Sequence, residues 1–404
     1  MNELREALNL KIESPYLEEA YRAALSDSDL PEWLTEGYIR ALRDELGLLP
    51  RSIDTVLLAL PHVAKSPELR LFVKVIYHIL GKRVGFNSAF SAFEMLGAPE
   101  KIDELGYGAA LMFPIIAHLR PYRDTLLLRG IDEDVIRDTL FWIDSFISTS
   151  SEKKGAPYLS LECFRAYSVA IYSNHLIIGR LRFELYPNSV RNARVFKSRS
   201  GEYALLMDNV TLHKTGRVIG SYGCTDTDGS YYAEVTETKD GYSGLGIDAF
   251  TRLAKREVTT LPRDEWTPVY TSGDAAIKIH IPHGGRLDKK AVEDAFSRAR
   301  EIFTRCYPEY NFTAFVIICW MLAPELSEIL PEESNIIAFQ NNFITYPVKS
   351  DATGVFLYVF DKDIASVDEL DLSLLPEDNT LRRGIKKMAL EGRFIHQFGG
   401  YMPF

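Results

Sequence analysis

Apolar residues recur three and four positions apart from about residue 14 to residue 148, the period of helices that bury one face. Start signals punctuate this stretch. Ser14-Pro15 and Ser66-Pro67 each put a capping hydroxyl before a proline at a first helical position, and Asp132 precedes the run Val135, Ile136, Leu140 and Ile143. Gly47, Gly81 and Gly130 follow periodic segments as stops, and Pro61 is expected to interrupt another. The pattern predicts an all-helical N-terminal domain over residues 1–150. Ser148 to Ala156 is small, polar and charged, which predicts an exposed linker and places the domain boundary there.

The period then changes. Tyr158 to Ser173 still reads as helix, but Leu181, Phe183 and Leu185 alternate with Arg182 and Glu184, the signature of a strand with one polar face. Residues 190–275 are short β-prone pieces separated by turn signals such as Ser200-Gly201, Thr215-Gly216 and Asp228-Gly229, which predicts an antiparallel meander. Residues 276–404 read as strand Ala276 to Pro282, helix Asp288 to Cys306, strand Thr313 to Met321, helix near Ser334 to Phe343, strand Val355 to Phe360, helix Leu381 to Leu390, and a terminal extended piece. Such a succession makes the class α+β, with crossover helices on a mixed sheet filling residues 151–404.

Candidate chemistry gathers where strand hands over to helix. In Ile277-Lys-Ile-His-Ile-Pro282 the three isoleucines share one face and leave Lys278 and His280 on the other. The following loop, His283-Gly284-Gly285-Arg286, combines glycine amides and basic side chains at the positive end of a helix dipole. Asp288 is the expected N-cap, and Lys289 and Lys290 in the first turn oppose the dipole, so an anion such as a cofactor phosphate is the expected ligand.

Composition narrows the classes. With 404 residues and 46% apolar content the chain builds at least one large core, and its net charge of -10 gives no global field for nucleic acid or an anionic membrane. Residues 1–20 lack the basic and apolar regions of a signal peptide, so a cytoplasmic location is expected. The longest apolar runs, Ala109 to Leu119 and Thr313 to Ala323, fall well short of the roughly 20 residues that span a bilayer. Cys163, Cys224, Cys306 and Cys319 form no CxxC pair, so neither a metal site nor a disulfide framework is indicated. His62, His78 and His118, set among apolar residues, are expected as core or boundary imidazoles. No pattern sets an oligomeric state.

The segments Gly179-Arg-Leu-Arg-Phe-Glu184, His280-Ile-Pro-His-Gly-Gly-Arg-Leu287, Cys319-Trp-Met-Leu-Ala-Pro-Glu-Leu326, Leu330-Pro-Glu-Glu-Ser-Asn-Ile336 and Phe339-Gln340 occur in that order. Together they resemble a bacterial family of acyltransferase-domain proteins that joins a helical N-terminal domain to a GNAT-like C-terminal domain. Cys319 and Ala323 stand where that family tends to carry serine and aspartate. The resemblance implies an acyl-CoA-dependent N-acyltransferase, with acetyl-CoA or another acyl-CoA as co-substrate and a small-molecule amine as acceptor. It further implies that His283, Gly284, Gly285, Arg286 and Trp320 hold the cofactor. His280 is then the expected base, since an ordinary imidazole titrates near neutrality at about 6.5. Glu184 is the reserve base, Ser334 and Asn335 are further candidates at the thioester, and Tyr346 or Tyr358 is the candidate acid for the thiolate. A second class of function fits the same features: a non-catalytic ligand-binding or scaffolding protein that keeps the GNAT-like fold.

Overall fold

The computed structural model describes residues 15–48, 50–81, 106–172, 175–282 and 284–404. They divide into two compact units, one comprising the residues up to Glu184 with Arg305–Tyr307, the other Leu185–Thr304 with Pro308–Phe404.

The first unit is helical: α1 (Pro15–Ser26), α2 (Glu36–Leu46), α3 (Pro50–Lys65), α4 (Pro67–Gly81), α5 (Tyr107–Ala110), α6 (Met112–Leu128), α7 (Glu133–Lys154) and α8 (Leu161–Tyr172). Most of the punctuation works as expected. The Ser66 hydroxyl accepts from the Leu69 amide at 3.2 Å, and Gly47 closes α2 with φ of 64°. Ile39, Leu42, Val56, Phe72, Ile76, Phe113 and Leu140 are buried and form the core. His118 is buried, with Nδ1 2.8 Å from the Pro114 carbonyl, His78 sits 2.7 Å from Asp27, and His62 is exposed.

Three local readings are corrected. Pro61 lies inside α3, which continues past it to Lys65. Ser148 to Lys154 is no linker but the last turns of α7, ended by Gly155 at φ 73°. There the buried Ser148 hydroxyl lies 2.6 Å from that of Ser52, which also donates to the Asp144 carbonyl at 3.1 Å. Small polar side chains that satisfy one another pack closely inside a helix pair, so a composition typical of linkers becomes an interface. Asp132 precedes α7 but makes no capping bond, because both its oxygens accept from Arg305 Nη2 at 2.8 and 3.0 Å. The unit ends in a hairpin of β1 (Leu176–Ile178) and β2 (Leu181–Tyr186), whose last two residues belong to the second unit.

The second unit begins with the expected meander: β3 (Ala193–Ser198), β4 (Tyr203–Met207), β5 (Val210–Leu212), β6 (Tyr231–Ala233), β7 (Thr236–Glu237), β8 (Gly241–Ile247), β9 (Ala254–Pro262) and β10 (Trp266–Tyr270). Its main sheet runs β10-β3-β4-β8-β7, with β9 also on β8. Then follow β11 (Ala276–His280), α9 (Lys289–Cys306), β12 (Ala314–Cys319), α10 (Asn335–Gln340), β13 (Ile344–Pro347), α11 (Gly354–Phe360), α12 (Thr380–Leu390) and β14 (Phe398–Pro403). β11 is parallel to β12, while β14 lies antiparallel between β12 and β13. Val195, Leu205, Met207 and Tyr270 of one sheet pack on Ala276, Ala314, Val316, Tyr346 and Tyr401 of the other. The opposite face of β12 meets α9, with Phe296 and Phe315 rings 5.3 Å apart, so this parallel strand is buried on both sides.

One element changes type. Val355 to Phe360, expected as a strand, is helix α11. A short apolar run satisfies either period. Here Asp351 accepts from the Thr353 amide and hydroxyl at 3.0 and 2.9 Å, turning the chain into a helix that Asp361 ends in the left-handed region. Among the described residues no helix is long and apolar enough to cross a membrane.

Burial leaves one titratable group of this unit with a thermodynamic signature. His396 is held down to about 4, first by desolvation and then by the Arg217 charge, against a bond to the Ser350 backbone that pulls the other way. As pH falls through 6.5 the unfolded chain takes up this proton while the folded one does not until about 4, so stability falls with pH across that window. Wild type is expected to lose roughly 2 kcal/mol more than His396→Gln between pH 7 and pH 4.5 in urea titrations, and equal slopes for the two would refute the assignment.

Candidate functional site

The parallel pair β11 and β12 begins in register and then parts. Ala276, Ile277 and Lys278 pair with Ala314, Phe315 and Val316, after which β11 runs on to His280 and β12 to Cys319. Over those last residues β12 stays with β14, out to Cys319 opposite Phe398. The two strands therefore diverge at their carboxyl ends, where open α/β sheets present their ligand crevice. Ile318, on the departing end of β12, is 41% exposed and offers apolar surface there.

The alternation read from the sequence holds on β11. Ile277 and Ile279 are buried at 0% and 2%, while Lys278 and His280 are half-buried on the other face. Register extends that face across the sheet: Lys278 lies beside Val316, Val316 beside Tyr401, and Ile318 beside Gly399, itself opposite Tyr346. The Lys278 ammonium stands 5.8 Å from the Tyr186 ring centre. Burial drives the Tyr346 phenol far above its ordinary value, so it stays protonated.

Past β11 the loop takes the conformation its glycines allow: Gly284 and Gly285 have φ of 82° and 69°, and residues 284–286 are exposed. Asp288 caps α9 as expected, accepting from the Lys290 and Ala291 amides at 3.0 and 3.2 Å. That cap corrects one expectation, because these two first-turn amides already have a carboxylate. An anion here would be met by the loop amides and by the side chains of Arg286, Lys289 and Lys290. His283 lies outside the described residues.

The other candidates lie on different elements. Trp320 is not in a strand but in the 3₁₀ turn Trp320–Leu322 that follows β12, and is 5% exposed. Gln340 Nε2 ties α10 to that turn through the Met321 and Ala323 carbonyls, both at 2.8 Å. The Cys319 sulfur accepts from the Met321 amide at 3.3 Å, and burial pushes its thiol up to about 12, which leaves it unreactive. Ser334 caps α10 through the Ile336 amide at 3.2 Å, and Asn335 is the first helical residue. Tyr358 is 63% exposed on α11. Glu184 belongs to the first unit, where it is buried rather than solvated, with Oε2 3.5 Å from His175 Nε2. Sequence reading passed over Tyr186, which lies against Lys278, because no motif marks it.

Residues 176–402 match the family described as the GNAT-like C-terminal domain, and the chain belongs to that family. No curated protein matches it in sequence. Among solved structures, an acyltransferase mutant in complex with octanoyl-CoA is 18% identical, with TM-score 0.63 over 100% of this chain and 99% of the other. An acyltransferase in complex with decanoyl-CoA and teicoplanin is also 18% identical, with TM-score 0.63 over 100% and 98%. A third, in complex with decanoyl-CoA, is 17% identical, with TM-score 0.62 over 99% and 98%. At these identities the likeness establishes a shared fold, helical region included.

Proposed function

We propose that this chain is an acyl-CoA-dependent N-acyltransferase that moves an acyl group from a CoA thioester to the amine of a small molecule. The observation that carries this reading is the parting of β11 from β12 beside a half-buried lysine and histidine. A thioester arm laid in the opening meets strand backbone on either side, and its acyl chain meets apolar surface such as Ile318. The solved structures that share the fold, in complex with octanoyl-CoA and decanoyl-CoA, support the same class of donor.

In this reading the phosphates lie over Gly284, Gly285 and Arg286, with His283 in the same loop. Trp320, in the turn that follows β12, walls the crevice. His280 takes the proton of the attacking ammonium, and Tyr346, its ring packed between the two sheets, is given no chemical role. Orientation of the amine against the carbonyl supplies most of the acceleration. Ser334, its hydroxyl spent on a cap, is given no chemical role.

Calorimetry with octanoyl-CoA is expected to show saturable binding that Arg286→Ala weakens about fivefold, the size of an exposed charge-assisted contact of ~1 kcal/mol. Absence of heat at low and moderate salt would exclude the donor. The Asp288 cap on the first-turn amides favours the rival reading, a protein that binds without turnover. Free-thiol release from octanoyl-CoA with any member of an amine panel decides against that rival.

A further inference from the structure

The second unit also holds a polar cavity that the acyltransferase reading leaves unused. It measures about 300 Å³ and is lined by stretches far apart in the chain: Arg217 and Tyr222 from the connection between β5 and β6, Glu325 from the 3₁₀ turn Pro324–Glu328, and Arg393, Phe394 and His396 from the approach to β14. These walls are tied together. Arg217 Nη2 donates to Glu325 Oε1 at 2.7 Å, and the two side chains are 16% and 19% exposed. Arg393 pairs with Glu328 at 2.5 Å, the Tyr222 hydroxyl donates to Asp368 Oδ1 at 2.8 Å, and the Tyr222 and Phe394 rings meet edge to face at 4.9 Å.

Charge in the lining cancels. Arg217 is matched by Glu325 and Arg393 by Glu328, while His396, held down to about 4, is neutral near pH 7. An ion entering here would give up its water without meeting an unmatched opposite charge, so the cavity disfavours ions. Hydrogen-bonding capacity does not cancel. His396 is 7% exposed, and its Nδ1, like Glu325 Oε2, has no donor among the described residues. The bond to the Ser350 backbone occupies the other ring nitrogen, so Nδ1 presents a lone pair. The Arg217 guanidinium, with one bond to Glu325, has further N–H groups to donate. The lining is therefore complementary to a neutral group that donates and accepts side by side, which a carboxamide does in one plane. The Tyr222 and Phe394 rings give the same cavity an apolar wall, which water alone would leave unused.

We propose that this cavity binds a small uncharged carboxamide, whose N–H groups donate to Glu325 and His396, whose carbonyl accepts from Arg217, and whose apolar or aromatic substituent lies against Tyr222 and Phe394. The cavity shares no lining residue with the loop and strand ends assigned to the acyl donor, so the proposal does not rest on the acyltransferase reading. No covalent step is involved.

The test titrates the full chain with four probes of similar shape, benzamide, benzoate, benzylamine and benzyl alcohol, followed by ligand-detected NMR. Wild type is expected to bind benzamide with a Kd on the order of 1 mM, the strength open to so small a ligand, and each of the others at least about tenfold more weakly. Charge inverts this order in two variants. Arg217→Met leaves Glu325 unmatched and brings benzylamine ahead of benzamide, whereas Glu325→Gln leaves Arg217 unmatched and brings benzoate ahead. An ion pair that only braces the connection between β5 and β6 produces no such crossing. Wild type that binds no probe, or takes a charged probe or the alcohol as tightly as benzamide, overturns the proposal. So do folded variants that keep the wild-type order. Should either variant fail to fold, the wild-type ranking decides together with a crystal of wild type grown with benzamide: density for the amide against Arg217 and Glu325 supports the site, and density elsewhere or none overturns it.

Discussion

Gly399→Ala is expected to destabilise the second unit by about 3 kcal/mol, the upper range for forcing volume into a filled core. Gly399 lies on β14 between Ile318 and Tyr346, with a strand hydrogen-bonded on either side. A Cβ there would sit 2.4 Å from Tyr346 Cζ, 2.6 Å from Cε2 and 2.9 Å from Cε1. The ring has nowhere to go: Tyr346 is 1% exposed and packs in the core between the two sheets. The backbone of β14 is equally constrained, since moving it breaks register with β12 and β13 together. A double-mutant cycle with Tyr346→Ala isolates the cause, because removing the ring empties the space the new methyl needs. In that background Gly399→Ala is expected to cost less than about 1 kcal/mol by urea denaturation. An equal loss in both backgrounds would mean that backbone freedom, and not the tyrosine, explains the glycine.

His280→Gln is expected to slow acyl transfer about 100-fold while octanoyl-CoA binds as before, the lower range for removing a positioned base. Glutamine retains a side chain of similar reach that can still hydrogen-bond, so strand β11 keeps its polar face. What it lacks is basicity. The measurement is thiol release from octanoyl-CoA with an amine that wild type accepts, under conditions where chemistry limits the rate. A variant that turns over at the wild-type rate would remove His280 from the mechanism. A fall in donor affinity that matches the fall in rate would make it a structural residue of the strand end.

The elements legible in the sequence are those whose causes lie within a few residues. Asp288 caps α9 because its carboxylate reaches amides two and three residues on, and Ser66 caps α4 in the same way. Lys278 and His280 share a face because strand side chains alternate, whatever the strand pairs with. The order of strand, loop, helix and strand from Ala276 to Cys319 follows from the same short-range periodicity. Local rules also mark their own limits: Val355 to Phe360 satisfies two periods at once, and Ser148 to Lys154 is polar enough for a linker until Ser52 supplies a partner.

The grouping around the candidate site is of another kind. Tyr346 and Gly399 carry no motif and lie in separate parts of the chain, and they meet because β14 inserts between β12 and β13. Whether Arg191 is buried and whether β11 parts from β12 beyond Lys278 are outcomes of packing over long sequence separations. The amino-acid sequence by itself thus determined the elements and the polar face of β11. Tertiary structure alone decided which side chains complete that face, since burial and register are properties of the assembled sheets and not of any one segment.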